Sequence, residues 1–264
     1  MTSDGEHPPL IPDQRREQLL KHLRRDGVLS VQQITRLLGV SHMTVRRDIA
    51  ELERGGLVFS VPGGVRIAST INSEPGFLDK SEVEQPQKQA MAAEAARLVQ
   101  DGMTVYLDAG TTLLAMAPAL ARLPHLTVVT NDFTTIGRLM DAENLELVHV
   151  GGRVDVSNRS SVGRLAADTL RRLALDVAFI STSSWDLLRG TTTPSESKVD
   201  VKQAAMASAA HSVLVAGSSK YGTFGRYRVA PLTAFDTIVT DADLTDAAAE
   251  GIRAGGSSLV LARP

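Results

Sequence analysis

Arg46, Arg47 and Arg54 lie in a stretch, Ser41 to Arg54, whose apolar residues Val45, Ile49 and Leu52 recur at i, i+4 and i+7. That spacing places the three on one face of a helix. At about 100° per residue, Met43, Arg47, Ala50 and Arg54 fall near the opposite face, with Thr44 and Arg46 at its flanks. Such a face is short at its start and rich in guanidinium further on. It suits a helix whose first turn reads base edges in a major groove while its arginines hold phosphate or guanine. The same pattern on a solvated helical hairpin is ordinary surface charge.

The elements around this stretch decide between the two. Ser41 is an N-cap type opening the arginine helix. Before it, Ser30 and Gln33 have the spacing of a capping box, Ile34, Leu37 and Leu38 supply one apolar face, and Gly39 is placed to end that helix. Two helices joined by so tight a turn form a helix-turn-helix. Val58-Phe59 and Val65-Arg66-Ile67 then flank Pro62-Gly63-Gly64, a hairpin signal and hence a wing. An earlier helix opens at Pro12-Asp13, presents Leu19, Leu20 and Leu23, and closes near Asp26-Gly27. The candidate DNA contacts are Ser41, His42, Met43, Thr44, Arg46, Arg47, Arg54, Gly63 and Gly64.

A second group of chemically capable residues follows short β-prone runs. Asp108, Gly110, Thr111 and Thr112 come after Val105–Leu107; Thr130 and Asn131 after Leu126–Val129; Gly151 and Gly152 after Leu145–Val150. Ser181–Ser184 and Ser218-Ser219-Lys220 stand in the same relation to Val177–Ile180 and Val213–Val215. Helical stretches separate most of the runs. Alternation of this kind indicates a mostly parallel sheet covered on both faces, which binds ligands at the carboxyl ends of its strands. Gly110-Thr111-Thr112, read as preceding a helix over Leu113–Arg122, would offer amides and hydroxyls to an anion, and Lys220 a point charge. Taken singly, these are a strand-to-helix turn, a plain turn and a solvated lysine; their convergence on one sheet edge favours a site. Neither G-x-G-x-x-G nor G-x-x-x-x-G-K-[ST] occurs, which disfavours a dinucleotide or P-loop site.

A length of 264 residues allows one large domain or two, and 43% hydrophobic with 22% charged residues describes an ordinary globular chain. There is no cysteine and the six histidines lack ligand spacing, so no structural metal and no cofactor is expected. With no signal peptide and no apolar run near the ~18 residues a span requires, the expected location is the cytoplasm. The net charge of −2 hides a balance of +4 over Ile11–Ala68 against −6 in the remainder, so the basic part coincides with the helix-turn-helix. The expected organisation is a disordered arm at 1–11, a winged helix-turn-helix at 12–68, a linker at 69–85 and an α/β domain at 86–264.

Val45-Arg46-Arg47-Asp48, followed by Gly55-Gly56-Leu57 and Pro62-Gly63-Gly64, resembles the DeoR family of bacterial transcription regulators. The resemblance continues through Asp108–Thr112, Thr130-Asn131, Gly151-Gly152, Gly163, Arg189–Glu196 and Ser218–Gly222. It implies a larger domain akin to ribose-5-phosphate isomerase and glucosamine-6-phosphate deaminase. It also implies a repressor of carbohydrate genes that binds a double-stranded DNA operator as a homo-oligomer, dimer or tetramer, and responds to a phosphorylated sugar. This chain has Ser60 and Pro62 where the family's wing usually carries Arg and His, and Gly217 where Asp usually precedes Ser-Ser-Lys. Two other readings stay open. One is an active sugar-phosphate isomerase or deaminase with a DNA-binding head, for which Asp108, Asp186 and Glu196 are the available carboxylates. The other is a ligand-independent regulator whose larger domain only oligomerises.

Overall fold

The computed structural model describes residues 10–264, which form two compact units, one ending at Ser69 and the other spanning Thr70–Pro264. Most of the arm expected at 1–11 lies outside the described residues. Leu10 and Ile11 do not belong to an arm: the Arg15 guanidinium donates to the Leu10 carbonyl at 3.1 Å, and Ile11 caps the first helix.

The first unit contains helices Pro12–Asp26, Val31–Leu38 and His42–Arg54 and a three-stranded antiparallel sheet. Strand Gly64–Ile67 is central, flanked by Val28–Ser30 and Val58–Val61. The capping box at Ser30 and Gln33 is formed, and Gly39 ends the second helix at φ 63°, a conformation in which only glycine is free of strain. One apolar core, from Leu19, Leu23, Leu29, Ile34, Val45, Ile49, Leu52, Val58 and Val65, ties the helices to the sheet.

The second unit is built on a seven-stranded, wholly parallel sheet. In chain order its strands are Thr104–Leu107, Leu126–Thr130, Leu145–His149, Leu175–Ile180, Ala209–Val215, Thr237–Asp241 and Ser258–Ala262. Across the sheet the order is seventh, sixth, fifth, fourth, first, second, third. The chain starts in the middle, winds outward on one side, then crosses back to lay the fourth strand beside the first. The strand order therefore reverses between the first and fourth strands, where a crevice opens at their carboxyl ends.

Two expectations need correction. No single helix covers Leu113–Arg122. Two four-residue helices, Thr111–Leu114 and Ala117–Leu120, occupy that span, and Pro118 in the second has no N–H to continue the ladder from Leu114. Nor is 69–85 a bare linker. It carries the helix Phe77–Ser81, the Phe77 amide donates to the Ser157 carbonyl at 2.9 Å, and Arg159 lies over the Phe77 ring at 4.6 Å.

Candidate nucleic-acid interface and anion cavity

In the first unit the helix His42–Arg54 turns Val45, Ile49 and Leu52 into the core and leaves Met43, at 71% relative exposure, Arg46, Arg47 and Ala50 outside. Arg46 and Arg47 make no hydrogen bond or ion pair among the described residues, so both guanidinium groups are available to an anion. His42 is exposed. The rest of the expected set is partly committed. Ser41 Oγ accepts from the Thr44 amide at 3.2 Å and lies 3.0 Å from its hydroxyl, so these two residues shape the first turn. Arg54 pairs with Glu51 on its own helix. Gly63, at φ 76°, makes the wing turn. Gly64 is glycine for a packing reason: a Cβ there would sit 2.4 Å from the Leu29 carbonyl oxygen.

Two residues outside the expected set hold this face in place. Asp48 is buried and receives both nitrogens of a bidentate fork from Arg15, at 2.7 and 3.0 Å, which locks the arginine helix to the first helix. This hydrogen bond, working against burial, raises the Arg15 pKa. Ser60, in the wing, donates its amide and its hydroxyl to the Glu53 carboxylate, each at 2.9 Å. The residue that departs from the usual wing pattern thus braces the wing against the arginine helix.

In the second unit the crevice at the strand reversal is floored by Asp108, which follows the first strand. Its Oδ2 accepts from the Ser181 amide at 3.0 Å, from Ser181 Oγ at 2.7 Å, and from Lys202 Nζ. Lys202 also donates to the Ser181 carbonyl at 2.7 Å. Both members of this pair are buried, Asp108 at 2% and Lys202 at 4% exposure. Lys202 stands one turn after Lys198 on the helix Ser197–Ala207, so both ammonium groups reach the same cavity. Glu74, Lys80 and Asn158 close the opposite side. Glu74 accepts from Lys80 at 2.7 Å and from Lys198, and Lys80 also donates to Asn158. Burial alone would raise the Glu74 pKa; Lys198 and Lys80 override it and hold the carboxyl well below the usual range.

The expected effector residues divide around this cavity. Asp108, Gly110 and Asn131 line it. Asn131 is committed, with Oδ1 accepting from Tyr106 at 3.0 Å and from the Ala109 amide at 2.8 Å, and Nδ2 donating to the Ser161 carbonyl. Gly110 donates its amide to Asp132 at 3.1 Å. Of the amides expected to cradle an anion, that of Gly110 is therefore already bonded to a side chain, and the helix that begins at Thr111 is a single turn. Thr130 is buried and donates to the Leu107 carbonyl at 2.6 Å. Thr112 is buried, and Thr111 lines a separate surface depression with Gln85, Pro118 and Arg138. Gly151 turns at φ 66°, and Gly152 lets the backbone pass Ala166, whose nitrogen would lie 3.0 Å from a Cβ. Lys220 donates to the Thr182 carbonyl at 3.0 Å and stands outside the cavity lining; burial pulls its pKa down to about 8, with Glu74 opposing and Lys80, Lys88 and Lys202 adding to the fall.

The cationic lining thus comes mainly from Lys80, Lys198 and Lys202. The last two had a readable signal, an i, i+4 pair of lysines; Lys80 and Glu74 had none. Of the three carboxylates of the isomerase reading, Asp108 floors the crevice, tied to Ser181 and Lys202, and the other two are elsewhere. Asp186 is sealed, accepting from the amides of Leu188 and Arg189 and pairing with the Arg189 side chain, and Glu196 is exposed.

An arginine-faced winged helix-turn-helix in one unit, and a parallel α/β unit with a lysine-lined crevice in the other, define a transcription regulator with a sensor-type body. The model of the DeoR-like helix-turn-helix domain matches residues 15–71, and that of the DeoR C terminal sensor domain matches 83–242. The chain belongs to the DeoR family. An uncharacterised HTH-type transcriptional regulator of Haemophilus influenzae is 44% identical over 90% of this chain and 92% of its own. The regulator YgbI of Escherichia coli K12 is 42% identical over 96% and 99%, and a putative aga operon transcriptional repressor of Escherichia coli O157:H7 is 30% identical over 98% and 97%. These relatives are named as regulators, not enzymes. Among solved structures, ribose 5-phosphate isomerase A of Methanocaldococcus jannaschii aligns with a TM-score of 0.38 and 19% identity over 51% of this chain and 53% of that one. No helix among the described residues is long and apolar enough to cross a membrane.

Proposed function

We propose that the chain is a repressor that grips a double-stranded operator with Met43, Arg46 and Arg47 and is controlled by an anionic metabolite, a phosphorylated sugar or a close analogue, at the strand-reversal crevice. One observation carries the control: Lys80, Lys198 and Lys202 converge on a crevice at the carboxyl ends of the first and fourth strands, whose lining holds two carboxylates, Asp108 and Glu74, with Asp155 3.8 Å from Lys198. Ammonium groups gathered at a ligand-binding edge can receive a ligand's negative charge. The family membership, and the aga operon repressor among its relatives, support repression of carbohydrate genes. Asp48 and Ser60 hold the reading face rigid, which lets a modest change in the attitude of that face cost DNA affinity. A homo-oligomer would present two such faces to a palindromic or repeated site, with half-sites about one turn of duplex, roughly 34 Å, or a multiple apart.

The test is operator binding by the purified chain in the presence of a panel of sugar phosphates. A metabolite acts only through unequal affinity for the DNA-bound and free states. One ester is expected to shift operator affinity in wild type and to lose that effect in Lys198→Met and Lys80→Met. A response that survives both substitutions would place control elsewhere.

A further inference from the structure

The crevice is nearly full. Its free volume is about 20 Å³, room for roughly one water and not for a phosphate ester. The Glu74 carboxylate is part of its lining, lodged between Lys80 and Lys198 with 16% of its side chain exposed. We propose that Glu74 is the crevice's own anion, seated where the acidic group of an effector goes, so that an acidic metabolite binds by expelling Glu74 from between Lys80 and Lys198. This rests on the reading of the crevice as an effector site.

Four observations favour Glu74 as the part that leaves. Asp108, just past the first strand, is fixed by Ser181 and Lys202 and already balances one ammonium. Glu74 is the carboxylate shared by Lys80 and Lys198, with Asp155 3.8 Å from Lys198 as that lysine's second, looser partner. The segment that carries Glu74 is also the less deeply packed wall. Its helix, Phe77–Ser81, buries none of its residues, whereas Lys198 and Lys202 stand on a helix that buries Val201, Ala204 and Ala205. Finally, Ser160 lines the same crevice at 1% exposure, and its Oγ has no hydrogen-bond partner among the described residues. An unpaired buried hydroxyl is costly, and a ligand oxygen in the crevice would satisfy it. Glu74 stays charged at neutral pH, so the seat is held by charge rather than by a proton.

Expulsion also has a direction. Glu74 stands five residues after Ser69, where the DNA-binding unit ends. The segment that must move for the ligand to enter is the one covalently joined to that unit.

The experiment uses the full chain and inorganic phosphate as probe. Glu74→Gln keeps the side chain's shape and removes its charge. If Glu74 holds the seat about nine-tenths of the time, phosphate affinity in this variant rises about ten-fold over wild type, because the competent fraction divides the intrinsic constant. Hydrogen exchange on wild type supplies a second readout independent of any substitution. The amides of Phe77 and Lys80, bonded to the carbonyls of Ser157 and Gly76, are expected to exchange faster once phosphate is added. Equal or weaker phosphate binding by Glu74→Gln, or slower exchange over 77–80, would overturn the expulsion while leaving the crevice an effector site. If neither wild type nor variant bound phosphate or any sugar phosphate, both readings would fall.

Discussion

Replacing Lys202 with methionine removes the ammonium from a buried pair and leaves the Asp108 carboxylate behind. Breaking such a pair typically costs about 3–5 kcal/mol, because an unpaired charge stays desolvated. Asp108 Oδ2 would keep two donors, the Ser181 amide at 3.0 Å and hydroxyl at 2.7 Å, so the lower end of that range, about 3 kcal/mol, is expected. Trp185 is the chain's single tryptophan and lies fully buried in the second unit, so its fluorescence follows the unfolding of that unit alone. Urea denaturation read at Trp185 should show Lys202→Met destabilised by about 3 kcal/mol. Asp108→Asn combined with Lys202→Met should be less destabilised than the two single variants summed, by at least ~1.5 kcal/mol of coupling. A loss below ~1 kcal/mol for Lys202→Met, or strict additivity in the double variant, would refute the buried pair as the floor of the crevice.

Further predictions concern both units. Arg47→Ala should weaken operator binding by about 1–3 kcal/mol and blur preference at one position if the guanidinium reads a base, or weaken all sequences alike if it holds phosphate, as anisotropy titrations would distinguish. Asp48→Ala strands the Arg15 guanidinium and should lower the first unit's stability by about 3 kcal/mol, read by circular dichroism, with DNA binding lost only as the unit unfolds. Lys220 titrates near 8 when folded, below an unfolded lysine at ~10.4. The unfolded chain therefore binds more protons between those values, and stability should rise with pH across that window. Lys220→Met should flatten the rise. In NMR of methylated lysines, phosphate in the crevice should move the Lys220 midpoint upward, since an added anion favours its charged form.

How much of this was legible in the sequence depended on distance along the chain. The helix-turn-helix and the alternating strands could be read because periodicity and caps are local: Ser30 with Gln33, Gly39, and Val45 with Ile49 and Leu52 all act within two turns. The strand-end loops were legible as a group, because small and hydroxylated residues follow several β-prone runs. What escaped were partnerships across long stretches. Asp48 looks like surface charge until Arg15, thirty-three residues earlier, closes on it. Glu74 lies in a polar stretch without periodicity, and Lys198, one of its partners, is 124 residues away. The Asp108 loop misled in a specific way. Gly110-Thr111-Thr112 has the spacing of an anion cradle, yet the Asp132 side chain takes the Gly110 amide first, as Asn131 takes that of Ala109. The positive charge of the crevice comes instead from side chains on the helix beside the sheet and from the segment before the first strand.

The most direct test of the account measures the affinity of the purified chain for a DNA fragment selected from its own genome, as a function of salt and of added sugar phosphates. The account predicts tight binding that weakens steeply with salt, as phosphate contacts by Arg46 and Arg47 require, and a shift in affinity with at least one ester that vanishes in Lys198→Met. Binding indifferent to salt, or indifferent to every ester, would contradict it.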